Sequence, residues 1–393
     1  MLISKSHLKP LVFVLGALCA LTACDRDVFE PSEDIAVAPP DADLSRAGNL
    51  KLMTRNLFVG APVEMIYAPG ANIPEAAAAL WAWVQSTQFE EERAYAIADE
   101  IADAQPHVIG LQEVSVFTII APIPPQEPPL HCPPPTDPGP PSVETLDFLK
   151  VLQEKLLVRS LNYDVAAVQA NFAGQVPMCD AKSVTGWSLV MLADFDAILV
   201  RGDLTAGEAQ AATFETNLVV ELAGIPLEIY RGWASVDVTV DGFPFRFVTT
   251  HLEPREPDPS IQVEQANELI ETLTAGTFPG GQLPTIVTGD INSAPTDPGG
   301  FTPYRNFIKA GFKDVVGPIR AEATCCQDET LVQPSQLDRR VDVILFHGDF
   351  GRFPMFATVT GNQESDRTPS GLWPSDHAGV VAWKRLPPPF ASP

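Results

Sequence analysis

Short runs of apolar residues, bounded by turn-forming residues, recur along most of this chain. They lie at Leu50 to Met53, Val108 to Leu111, Ala197 to Val200, Trp233 to Val240, Phe245 to Thr250, Thr285 to Thr288, Val341 to Phe346 and Gly379 to Trp383. Runs of this length and bounding predict β-strands. Between them the period changes. From Glu90 to Ala104, the residues Ala94, Ile97, Ala98 and Ile101 fall on one helical face with the acids and Arg93 opposite, and Leu146 to Leu157 and Ile261 to Leu273 repeat the pattern. Strands mixed with amphipathic helices predict a layered α/β architecture. One segment breaks both periods. Residues 121–142 contain Pro133-Pro134-Pro135 and Pro140-Pro141, can enter neither a helix interior nor a central strand, and predict a long extended surface loop.

The chain opens on a different pattern. Lys5 and Lys9 precede an apolar run from Leu11 to Leu21 that is too short to span a bilayer and ends in Leu21-Thr22-Ala23-Cys24. This resembles an export signal closed by a bacterial lipobox, which implies a signal peptide over 1–23 and a lipidated Cys24; an ordinary cleaved signal is the alternative. Residues 24–48 are rich in Pro, Asp, Ala and Glu and read as a tether, since they cannot bury enough apolar surface to offset ordering. One domain over 49–387 and a tail over 388–393 follow. The expected form is a monomer of the cell envelope, on its periplasmic or extracellular face, touching the membrane through its lipid anchor only.

Charge narrows the partners. Formal net charge is −25, and without Lys5 and Lys9 the mature chain carries 23 basic against 50 acidic residues, or −27. A duplex-binding surface needs clustered Lys and Arg, and no such run occurs, so tight duplex-DNA binding is not expected. Chemistry on a phosphate is not excluded, because metal ions can neutralise it locally. Of the six cysteines, Cys19 lies in the signal and Cys24 at the anchor, leaving Cys132, Cys179, Cys325 and Cys326 in an oxidising compartment. Without a Cys-x-x-Cys spacing they predict disulfides rather than a zinc knuckle, with three connectivities open. A Cys132–Cys179 bridge would restrain the proline-rich loop, whose partner cysteine sits in a second loop-like stretch after Pro177. Vicinal Cys325 and Cys326 admit a mutual disulfide, two separate bridges or two free thiols.

Polar residues at strand ends carry the candidate chemistry. Asn56 follows the first apolar run and Glu113 the second, where a carboxylate can hold a hard cation and an amide can bind a ligand or metal-bound water. Asp290 and Asn292 follow Thr285-Ile286-Val287 one residue apart, so on an extended backbone they face the same way; Asp-x-Asn is equally a turn-former. His251 ends another run. Asp342 sits inside Val341-Asp342-Val343-Ile344-Leu345, and an acid there needs a partner such as an imidazole; Ser375-Asp376-His377 precedes the last run and offers one.

In order, Asn56, Glu113, the Thr250-His251-Leu252 step, Gly289-Asp290-Ile291-Asn292, Asp342 and Ser375-Asp376-His377 resemble the motifs of the endonuclease/exonuclease/phosphatase superfamily. That resemblance covers nearly everything from Leu50 to Trp383. It implies a DNase I-like four-layer sandwich of two facing mixed β-sheets flanked by helices, acting as a metal-dependent hydrolase of phosphate esters: a phosphodiesterase, nuclease or sphingomyelinase-like enzyme on phospholipid, nucleotide or nucleic acid. It further implies Mg²⁺ or Mn²⁺ at Glu113 with Asn56 and Asp376, water activation by Asp290, and positioning by Asn292. Phosphoryl stabilisation by His377 held by Asp342, and a leaving-group proton from His251, complete the set. Arg55 departs from the pattern, standing where many members carry an aromatic residue. The alternative class is a binding lipoprotein that keeps the fold without catalysis.

Overall fold

The computed structural model describes residues 49–126, 132–136, 138–316, 322–351 and 355–386. The signal, Cys24, the tether, the C-terminal tail and parts of the proline-rich segment lie outside the described residues. The strands in chain order are β1 (Asn49–Asn56), β2 (Val108–Ala121), β3 (Ser142–Asp147), β4 (Tyr163–Cys179), β5 (Trp187–Arg201), β6 (Gln210–Thr213), β7 (Leu218–Leu222), β8 (Ile225–Ile229), β9 (Gly232–Val240), β10 (Phe243–His251), β11 (Thr285–Asp290), β12 (Lys313–Asp314), β13 (Asp342–His347), β14 (Met355–Thr360) and β15 (Gly379–Arg385). The helices are α1 (Ile73–Ser86), α2 (Ala94–Ala104), α3 (Phe148–Val158), α4 (Pro259–Thr274) and α5 (Pro303–Lys309).

Two large sheets form. One runs β14-β15-β1-β2-β5-β4 with β3 also on β2, the other β12-β13-β11-β10-β9-β6, and β7 and β8 pair as a separate hairpin. Period-two alternation sorts their side chains into three apolar layers. Leu50, Leu52, Ile198 and Val200 of the first sheet meet Phe245, Phe247, Ile286 and Ile344 of the second. The opposite faces, through Met53, Leu111 and Leu199, pack on α1, α2 and α3. Val248, Val287, Val343 and Leu345 pack on α4 and α5. Helices, sheet, sheet, helices is the four-layer order, and it explains why the strand runs read as nearly continuous apolar stretches: both faces are buried.

Gly110 lets the two sheets close on each other near the later site. A Cβ there would meet Thr288 Oγ1 at 2.5 Å and Thr249 Oγ1 at 2.8 Å. Beside it Gln112 crosses between sheets, donating to Thr249 Oγ1 at 2.8 Å while accepting from Thr54 Oγ1 at 3.2 Å.

Several expectations are corrected. β2 runs to Ala121, so Glu113 lies within the strand, at a shift of register between Leu111 and Val114. Arg93 is fully buried, because Phe89–Arg93 forms a π-helical turn that rotates it off the polar face of α2. Leu146 and Asp147 belong to β3, and Cys179 ends β4 rather than lying in a loop. Cys179 is bonded to Cys132, and Cys325 to Cys326. Pro122 to Gln126 and the described proline-rich residues up to Pro141 form neither helix nor strand, as composition required.

Candidate active site

The predicted residues meet at one end of the sandwich. Asn56, His251 and Asp290 are the last residues of β1, β10 and β11. Asp342 opens β13, which runs antiparallel to β11 and sets Asp342 opposite Asp290. Asp376 and His377 immediately precede β15, the antiparallel partner of β1. Strand direction therefore delivers residues remote in sequence to one edge.

Asn56 joins the two halves. Its Nδ2 donates to Glu113 Oε1 at 2.9 Å and faces Asp290 Oδ2 at 3.4 Å, and its Oδ1 accepts from the Phe58 amide at 2.9 Å. Glu113 stands at φ +54° in the β2 irregularity, which re-aims its side chain, and its Oε2 accepts from the Val59 amide at 2.7 Å. Asn292 is not extended. At φ +48° it turns back, its amide donating to Asp290 Oδ1 at 2.8 Å while its Nδ2 donates to the Leu252 carbonyl at 2.9 Å. Turn-former and site residue are thus one and the same.

Two histidines flank Asp290 in opposite electrostatic settings. His377 Nδ1 bonds Asp342 Oδ2 at 2.8 Å, and its Nε2 lies 3.7 Å from Asp290 Oδ2. Burial would lower the His377 pKa, but Asp342, Asp376 and Asp290 together hold it well above the ordinary value, so the ring is cationic. His251 Nε2 lies 3.4 Å from Asp290 Oδ2 and 3.3 Å from Asn292 Nδ2. Burial, and then the Arg231 charge, hold it well below its ordinary value. Arg231 can only donate, and its Nη1 is 3.1 Å from His251 Nδ1, so a neutral His251 carries its proton on Nε2.

The carboxylates crowd one another. Burial pushes Asp290 up to about 7, and burial followed by Glu113 pushes Asp376 up to about 6 against the lowering pull of His377. Asp342 Oδ1 is buried with no partner. An oxygen-rich donor set with this excess of negative charge fits a hard divalent cation, for which Glu113, Asp376 and Asn56 are candidate ligands. The ligand atoms of Asp290, Asp342 and His377 also lie within 4.8 Å of one another. In that group His377 Nδ1 is bonded to Asp342, while Nε2 faces Asp290 Oδ2 at 3.7 Å and Cys326 Sγ at 3.9 Å.

Sequence reasoning missed the arginines behind the site. Arg55, fully buried, donates from Nη1 to the His377 carbonyl and pairs through Nη2 with Glu100 at 2.8 Å. It does not line the cleft. Arg93 donates to the Pro374 carbonyl at 3.0 Å and to the Phe58 carbonyl at 3.0 Å, tying both site loops to α2. Asp194, pushed up to about 6 by burial and then by Glu113, is held by Ser115 at 2.8 Å and Asn171 at 3.3 Å. Only the apolar run around Arg55 and the acids preceding Arg93 hinted at such burial.

Comparison with known proteins places the chain in a family. The sequence model of the Endonuclease/Exonuclease/phosphatase family matches residues 84–377. No curated protein matches the sequence. Among solved structures, truncated TDP2 from Caenorhabditis elegans is 14% identical with a TM-score of 0.49, over 86% of this chain and 98% of that one. An endonuclease/exonuclease/phosphatase family protein from Bacteroides thetaiotaomicron is 18% identical with a TM-score of 0.49, over 86% and 98%. A mannosyl-6-phosphatase from the same organism is 18% identical with a TM-score of 0.46, over 85% and 98%. With the family model spanning most of the domain, from within α1 to His377, the chain belongs to the endonuclease/exonuclease/phosphatase family.

Proposed function

We propose that this protein hydrolyses phosphate esters with the help of Mg²⁺ or Mn²⁺, outside the cytoplasm and tethered by lipid at Cys24. The observation that carries the reading is the meeting of four carboxylates and two histidines of unlike charge around Asp290 Oδ2.

Phosphate-ester hydrolysis needs an in-line water, neutralisation of the equatorial oxygens and stabilisation of the leaving oxygen. When bound at Glu113, Asp376 and Asn56, the divalent ion supplies Lewis acidity and charge neutralisation. Asp290 orients the water and takes its proton, its Oδ1 being fixed by the Asn292 amide. His377, kept cationic by Asp342, puts positive charge beside the phosphoryl oxygens. His251, neutral, offers its Nε2 hydrogen to the departing oxygen, its ring oriented by the Arg231 donation to Nδ1. Phospholipid, nucleotide and nucleic acid are the substrate classes in view, with net charge set against tight duplex binding.

The test is a panel of sphingomyelin, inositol phosphates, RNA, plasmid DNA and bis-p-nitrophenyl phosphate, each with Mg²⁺, Mn²⁺ or EDTA. Metal-dependent turnover of at least one supports the reading. Binding of these compounds without any turnover would make the protein a binding lipoprotein instead.

A further inference from the structure

Of the site residues, Glu113 and Asp376 line a groove of about 390 Å³. Asp194 and Arg231 line it too, and most of the remaining wall is apolar. One wall is formed by Val176, Val190 and Leu192 of β4 and β5. The β7–β8 hairpin lines the groove as well. Its residues alternate: Leu218, Leu222, Leu227 and Ile229 line the groove, while Val219, Glu221 and Glu228 are exposed. Among the described residues, those four inward side chains belong to none of the hydrophobic core clusters. Leu222 is already buried, while Leu218, Leu227 and Ile229 stay partly exposed along the groove, so an apolar occupant there would take further apolar surface out of water.

Charge selects the occupant. Among the described residues lining the groove, six are acidic and Arg231 alone is basic. Arg231 is itself engaged by Glu253 at 3.1 Å and by His251. A second phosphate following the first along this groove would meet carboxylates, so a polynucleotide or polyphosphate does not suit it. The aliphatic wall offers few hydrogen-bonding groups to a base edge. A hydrocarbon chain is uncharged, flexible and matched to such a wall.

We propose that this groove is the specificity subsite of the enzyme and takes the alkyl or acyl chain of a phosphate ester whose phosphorus lies at the Glu113–Asp376 end. The proposal rests on the phosphate-ester reading of the site. Specificity then comes from Val176, Leu192, Leu222 and Leu227, none of which touches the reacting atoms.

The experiment uses the full chain carrying Cys24→Ser, so that it stays in water, and methyl, butyl and octyl 4-nitrophenyl phosphodiesters below their micelle concentrations. In each, water adds to phosphorus as the phosphorus–aryloxide bond breaks, giving an alkyl phosphate and nitrophenolate, with the released protons passing to solvent. Burying a methylene is worth at most roughly fourfold in affinity, so kcat/KM should rise by on the order of a hundredfold from methyl to octyl, mostly through KM. Leu227→Asp, with Leu222→Ser as a second variant and folding checked by circular dichroism, should cut the octyl-to-methyl ratio at least about tenfold. A flat series, or a thymidine 4-nitrophenyl phosphodiester outrunning octyl, overturns the proposal and leaves the phosphate-ester reading standing. Turnover of no member overturns that reading. Calorimetric binding of octyl against methyl phosphate to the metal-free protein then decides the groove, and equal affinities overturn it.

Discussion

Arg55 grips the backbone of His377 from behind the site, its other guanidinium nitrogen paired with Glu100 at 2.8 Å. Both side chains are buried, and burial raises the Glu100 carboxyl to about 7 even against the lowering pull of Arg55. Removing one partner of such a pair strands the other, at about 3 to 5 kcal/mol. Arg55→Met should therefore lose about that much stability in denaturant unfolding, and kcat should fall more than KM rises, because the His377 carbonyl loses its anchor. Normal stability in this variant would show that the pair contributes nothing to holding the site.

The Asp342–His377 bond makes a second prediction. His377→Ala should lower kcat/KM by about 10² to 10⁴, the scale of a lost positioned charge or proton donor. Asp342→Asn should lower it by a similar factor, since the 2.8 Å contact is what keeps the ring charged and oriented. Residues acting as one unit are not additive, so the double variant should be little worse than either single one. Two losses that multiply would break the pairing argument.

The layered fold was legible because inner strands such as β10 and β11 bury both faces, which writes a nearly unbroken apolar run into the sequence. Most candidate site residues were legible because Asn56, His251, Asp290 and Asp342 fall at strand ends, whereas Glu113 sits at an irregularity inside β2. What was not legible is contact across distance. Little beyond the preceding acids marks Arg93 as buried, since its burial depends on a π-helical turn and on carbonyls at Pro374 and Phe58. Nor does His251 announce its neutrality, which burial imposes first and the Arg231 charge, 20 residues away, second. β4, α1 and the β7–β8 hairpin escaped because half-buried, alanine-rich or glutamate-punctuated stretches give weak periodicity.

Glu113 is the carboxylate held by Asn56 at 2.9 Å and by the Val59 amide at 2.7 Å. Glu113→Gln keeps the shape and removes the charge. Activity should then need at least about tenfold more Mg²⁺ or Mn²⁺ for half-maximal rate, and calorimetric Mn²⁺ affinity should fall in parallel. Full activity after exhaustive chelation would remove the metal from the account.

Cys24→Ser should abolish lipid labelling and move the protein from the membrane fraction to the soluble one. The motivation is the Leu21-Thr22-Ala23-Cys24 step. Fractionation with metabolic acyl labelling decides it, and a variant that stays on the membrane would require another attachment.

His107 gives a stability prediction far from the chemistry. Its Nδ1 accepts from the Lys51 amide at 3.0 Å, which only the neutral ring can do. Burial, and then the Arg201 charge, pull its pKa down to about 4 from the ordinary 6.5. A histidine depressed in the folded state contributes stability that is complete above the unfolded value and is lost as pH falls from about 6.5 towards 4. Each unit corresponds to about 1.4 kcal/mol, so this one group should cost the wild type about 2 to 3 kcal/mol between pH 7.5 and 4.5. Other carboxylates titrate in the same window, so the useful quantity is a difference. His107→Gln keeps an acceptor for Lys51 and cannot be protonated; it should sit below or level with the wild type at pH 7.5 and gain on it by about 2 to 3 kcal/mol at pH 4.5. Urea unfolding of both proteins at the two pH values measures that gap, and a gap that stays constant with pH would mean that His107 does not titrate on unfolding.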